Sequence, residues 1–164
     1  MTEIFAFPDS WRWLDRPPMR LETGLAGHVV IVLYWRLGCL HSRVALRELA
    51  AITATTEGRP IAIVAVHVAT CDEERDRDRL RRESLQMPSC ITFVEQSEPG
   101  DLRRLPGMLL LDPMMVIRAR TGGSPRRNRL RAAIEMLAAE AQRSGQLAKV
   151  PYVPLQAVRG ARLL

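Results

Sequence analysis

Residues 29–35, VVIVLYW, carry no charge on either side of the chain. Side chains of a strand alternate between its two faces, so a strand with this run has to be covered above and below. A sheet with one wet face would show alternation; a central strand in a sheet flanked by helices shows a continuous apolar run. A second run, IAIVAVHVA at 61–69, has the same character. Between the two, the period changes. Val44, Leu46, Leu49, Ala50 and Ile52 recur at near-helical spacing after Cys39, and Gly58 followed by Pro60 ends the segment. Strand, helix, strand is the unit that joins parallel strands.

The rest of the chain extends this pattern. In TCDEERDRDRLRRESL, Thr70 and Glu73 have capping-box spacing. Acids crowd its first turns and arginines its last, as a helix dipole favours. Residues 72–83 mix 6 acids with 5 arginines, which reads as a solvated helix face. CITFV (90–94) is a short strand, with Cys90 expected in the core. MLLLD (108–112) and MVIRA (115–119) predict a hairpin turning at Asp112-Pro113-Met114. Ser124-Pro125 offers an N-cap and a first helical residue. The stripe Leu130, Ala133, Ile134, Leu137, Ala138, Ala141 marks the last helix, which ends at Gly145. The expected fold class is α/β, a central mixed sheet flanked by helices. Residues 1–145 are expected to form the domain, and 146–164 a basic, proline-containing C-terminal tail.

Composition excludes several functions. No apolar run approaches the ~20 residues of a membrane helix, so no membrane partner is expected. The beginning MTEIFAFPDSWRWLDRPP has no signal-like apolar core, which predicts a cytoplasmic protein if Met1 is the true start. Three cysteines, Cys39, Cys71 and Cys90, and three histidines, His28, His41 and His67, show no zinc spacing, so no metal is expected. His67, between valines, reads as an interior histidine. Met108, Met114 and Met115 read as core or edge packing. The net charge of +6 resides in residues 125–164, with 8 basic and 2 acidic side chains. No aromatic interleaving accompanies these arginines, and no nucleic-acid partner is expected.

Trp35 and Cys39 at a strand end and helix start, then Leu105-Pro106 before a hairpin and a last helix, together resemble the thioredoxin fold. More closely, WRWLDRPPMRLETGLAGHVVIVLYWRLGCLHSRVALREL resembles the entry segment of bacterial thioredoxin-like redoxin domains. These belong to the alkyl hydroperoxide reductase/thiol-specific antioxidant superfamily and include the cytochrome c maturation reductases and the thioredoxin domains found with NHL repeats. Trp13-Leu14, Pro18, Leu21, Gly27, Trp35, Gly38-Cys39 and the later LPGMLLLDP carry the likeness, over roughly residues 10–142. The resemblance implies thiol–disulfide chemistry at Cys39 and a cis Pro106 facing it. Leu105, Pro106, Trp35, Gly38 and Leu40 would then line a groove for a peptide or glutathione.

The departures redirect that chemistry. Ser42 stands where the family has its second redox cysteine, Leu33 where thioredoxins bury an acid, and Gly107 after the proline. Trp35 and Arg36 replace the Pro and Thr of the peroxidase motif, so peroxidase activity is not expected. A cysteine at a helix start meets unpaired N–H groups and the positive end of the dipole, which favour thiolate. Cys39-Leu40-His41-Ser42 resembles the C-P-H-C of DsbA, which implies that His41 lowers the thiol pKa further. Ser42 cannot resolve a mixed disulfide; it can only hydrogen-bond the sulfur.

Three readings stay open. Cys39 acts as a monothiol resolved by external protein or glutathione thiols; Cys71 resolves it; or the fold is a redox-inactive interaction module. The leading expectation is thiol–disulfide exchange through Cys39. It needs no cofactor beyond glutathione as a candidate co-substrate, and a homodimer is compatible with the sequence.

Overall fold

A computed structural model describes residues 4–14, 17, 25–55, 59–69, 77–84, 89–93, 104–124 and 126–146. The two apolar runs form β2 (Val29–Trp35) and β3 (Ile61–Ala69), buried at every position. They pair in parallel, Val29 opposite Ile61 and Trp35 opposite His67. β3 pairs in parallel with β4 (Ser89–Phe93), and β4 takes the short antiparallel β1 (Arg12–Trp13) at its outer edge. On the other side, β2 pairs antiparallel with β5 (Gly107–Leu111), and β5 with β6 (Ile117–Gly122). The result is a six-stranded mixed sheet in the order β1-β4-β3-β2-β5-β6.

Alternation along β2 and β3 divides the core. On one face Val29, Ile31, Leu33 and Trp35 meet the helices α1 (Leu40–Thr55), α2 (Arg77–Glu83) and α3 (Arg127–Arg143) through Leu46, Leu49, Leu80, Ile134 and Leu137. On the other, Val30, Val32 and Tyr34 meet Phe5, Trp11, Leu25 and Met115. The second face is therefore covered in part by the N-terminal segment, not by a described helix. Aromatic rings chain along it. Phe7 lies 5.4 Å from both Trp11 and Trp13, and Trp11 sits edge-on to Tyr34 at 6.0 Å. Each fully buried aliphatic side chain contributes on the order of 1.5–3 kcal/mol through water exclusion.

Several expectations are corrected in detail. Val44 is exposed. The inward stripe of α1 is Ser42, Ala45, Leu46, Leu49 and Ile52, because the spacing i, i+3, i+4, i+7, i+10 faces the sheet only from Ser42. The hairpin turns over a longer span than expected, and β6 starts two residues later. Met115 sits at φ 62, and Asp112 Oδ1 accepts the Met114 and Val116 N–H groups at 2.9 and 3.0 Å, which keeps 112–116 in the turn. Met108 and Met115 are buried, whereas Met114 is exposed. The N-cap of α3 is Arg126, extended at φ −80 and ψ 116, and not Ser124. The Gly123 N–H is held by the Pro106 carbonyl at 2.7 Å, so the chain stays with the sheet past Gly122. At the other end Gly145, at φ 68, follows the Ser144 cap. Gly145 N–H to Gln142 O and Gln146 N–H to Ala141 O complete a Schellman motif.

His67 is an interior histidine, 5.1 Å from the Trp35 ring. Leu80 anchors α2, while Arg81–Asp78 and Arg79–Glu83 pair along its exposed side. The Thr70/Glu73 cap, Gly58, the side chain of Cys90, and the tail beyond Gln146 lie outside the described residues. Among the described residues, no helix is long and apolar enough to cross a membrane.

Candidate functional site

The site is built on the crossing from β2 to α1. After Trp35 the chain reverses through a four-residue turn, with the Cys39 N–H donating to the Arg36 carbonyl at 3.2 Å. Gly38 sits at φ 77, the third-position geometry of a type II turn that glycine alone adopts without strain. The Cys39 carbonyl then accepts the Arg43 N–H at 3.1 Å, which opens the helix. Cys39 is thus the N-cap, with His41 and Ser42 second and third in the helix. A side-chain acceptor at the N-cap takes the N–H groups of those two residues, and here the acceptor is sulfur.

The Cys39 thiol is half-buried and held below the ordinary cysteine pKa. The largest cause is a hydrogen bond from the Ser42 hydroxyl. Partial burial opposes it; the N–H groups of Ser42 and His41 and the charge of Arg36 add to it. Ser42 is fully buried, and its Oγ accepts the Arg36 N–H at 3.1 Å. With that lone pair engaged, its one proton is left to point at the sulfur. No acid stands in the first turn of α1 to offset the dipole.

Gly38, Cys39, Leu40, His41 and Ser42 thus lie together, with Leu40 and His41 exposed. His41 acts on the sulfur through its backbone N–H, and its imidazole is not among the groups lowering the thiol pKa. Arg36 does lower it, and the sequence reading had not singled it out; a cation three residues before the cysteine was the available signal. Trp35 has to be corrected. It is 0% exposed, so it cannot wall an open groove; it packs beneath the turn against His67.

The Leu105–Pro106 peptide bond is cis. Pro106 is buried and Leu105 half-buried against the second-face cluster. Tyr34 pairs with Gly107, so continuing the register brings Pro106 level with Trp35, one strand from the cysteine turn. Leu33 lies between Ala65 and Met108, which leaves an apolar residue where a buried acid would act as proton acceptor. Cys71 lies outside the described residues.

No family model matches the chain. Among curated proteins, it is 31% identical over 85 residues to Protein SUPPRESSOR OF QUENCHING 1, chloroplastic, of Arabidopsis thaliana; the match spans 52% of this chain and only 8% of that protein. Among solved structures, a thioredoxin-like protein in its oxidised form superposes with TM-score 0.66 at 13% identity, over 84% of this chain and 97% of that one. A DsbF homologue from Corynebacterium diphtheriae superposes with TM-score 0.63 at 15% identity, over 82% and 92%. A thiol-disulfide isomerase from Corynebacterium glutamicum gives TM-score 0.61 at 15% identity, over 84% and 94%. With a mixed sheet in this order and a helix springing from the cysteine turn, the chain has the thioredoxin-like α/β fold.

Proposed function

We propose that the protein carries out thiol–disulfide exchange through Cys39 as a single nucleophile. One observation carries this reading: a half-exposed N-cap sulfur that accepts hydrogen bonds from the hydroxyl of a buried serine and from the N–H groups of His41 and Ser42. The Cys39 thiolate attacks one sulfur of a disulfide. A new sulfur–sulfur bond forms, the old one breaks, and the departing thiolate takes a proton from solvent. Ser42 has no sulfur with which to release the captured partner. An external thiolate, from glutathione or a protein, attacks the mixed disulfide and expels Cys39. A lowered pKa makes Cys39 a good leaving group in that second step.

The solved thiol-disulfide isomerase that shares this fold supports the reading. A cycle that depends on external thiols suits a reducing compartment such as the cytosol. The test is to incubate the reduced protein with glutathione disulfide at neutral pH and map adducts by mass spectrometry. A glutathione adduct on Cys39 is expected. Absence of one would favour a redox-inactive interaction module, and an internal Cys39–Cys71 bond would replace the monothiol cycle with a two-cysteine one.

A further inference from the structure

Among the described residues, the charged side chains that flank Cys39 in the turn and on the first turns of α1 carry one sign. Arg43 and Arg47 follow Cys39 at i+4 and i+8, so the three residues form one stripe along α1. Arg36 stands on the turn before it, and its charge already acts on the sulfur. All three arginines are exposed. Among the described residues, no carboxylate pairs with any of them. The nearby acids are engaged elsewhere, Glu83 of α2 with Arg79 and Glu48 of α1 itself with Arg127. Arg79 itself approaches the turn: its guanidinium would stand 3.9 Å from a Cβ placed on Gly38. Beside the basic stripe, Leu40 and Val44 expose apolar side chains at 64% and 41%.

We infer that the Cys39 site selects disulfides flanked by negative charge, with Arg36, Arg43 and Arg47 attracting the substrate to the sulfur. The inference rests on the exchange reading above and names its substrate class: glutathione, an anion, and acidic cystine peptides share the required chemistry. A charge near the scissile bond meets guanidiniums placed before the turn and along the helix. Each opposite pair is worth a few-fold in rate at separations of about 8 Å in water, and several act together.

The test uses short peptides whose cysteine is joined by a disulfide to 2-thiopyridine, flanked by two Glu, two Gln or two Lys. Cys39 thiolate attacks the peptide sulfur, the disulfide breaks, and 2-thiopyridone departs with the electron pair and takes up a proton. Its absorbance reports the rate, and the leaving group is the same in every arm. Adduct mapping by mass spectrometry assigns the reaction to Cys39.

At low salt the Glu peptide is expected to react roughly tenfold or more faster than the Lys peptide. The ratio should fall toward one at 1 M salt, where the screening length is about 3 Å. The R43Q/R47Q double variant should reduce the low-salt ratio at least a few-fold. Glutathione disulfide, run beside an acidic cystine peptide, tells the two sources apart by relative rate. Equal Glu and Lys rates at low salt, or a ratio unmoved in the double variant, would overturn the inference and leave the exchange reading standing. If Cys39 reacts with none of the three peptides faster than it does in the denatured chain, the exchange reading itself fails.

Discussion

Ser42 is the residue on which the site turns. In the sequence it reads as a missing cysteine, and that loss is legible without a structure. Its positive role is not, because that role depends on the turn at Arg36–Cys39. The hydroxyl accepts a hydrogen bond from the Arg36 N–H and donates one to the sulfur. Ser42→Ala removes both bonds. It should raise the thiol pKa and cost about 1 kcal/mol in stability by leaving the Arg36 N–H unpaired, measured by alkylation and by urea denaturation. An unchanged alkylation midpoint in this variant would mean that the hydroxyl does not reach the sulfur. The sequence assigned pKa tuning to the His41 imidazole. The helix start explains the difference: the second residue of a helix offers its N–H to the cap, while its side chain points to solvent.

At the scale of the element, Cys39 is the cap of α1 and, in the proposed reaction, its nucleophile. A folded-state pKa below the unfolded value means that the ionised thiol stabilises the fold. That stabilisation is complete above the unfolded value, about 8.5, shrinks as pH falls, and is lost below the folded value. Cys39→Ser keeps an acceptor at the cap but does not titrate. The stability of the wild type relative to Cys39→Ser should therefore rise with pH through the range below about 8.5 and level off above it, followed by denaturation at each pH. A difference that stays flat across this range would sever the link between thiolate and cap. Apolar runs and the helical period made β2, β3 and α3 legible in the sequence. The start of β6 was not, because it follows from Met115 at φ 62 and the Asp112 carboxylate, a local choice that periodicity does not record.

For the whole molecule, the two faces of the sheet separate the cysteine turn from the N-terminal cover. The helices and the cysteine turn share one face; Phe5, Trp11, Leu25 and Met115 close the other. That both faces need cover follows from VVIVLYW alone. What covers the second face did not, since an aromatic segment without helical or strand periodicity gives little sign of where it packs. Trp11→Ala should cost on the order of 3–5 kcal/mol while leaving the alkylation midpoint of Cys39 in place, because the tryptophan lies across the sheet from the sulfur. A shifted midpoint would mean that the faces are coupled. The arginine excess near the C-terminus is partly used inside the fold. Arg127 pairs with Glu48 across the two helices, which joins α1, the helix that Cys39 caps, to α3.

The central claim is that Cys39 is an acidified single nucleophile. It is tested most directly by the rate of Cys39 alkylation against pH, read by mass spectrometry on the peptide that carries it. The account predicts a midpoint clearly below the free-cysteine value of about 8.5. A midpoint at or above that value would contradict it.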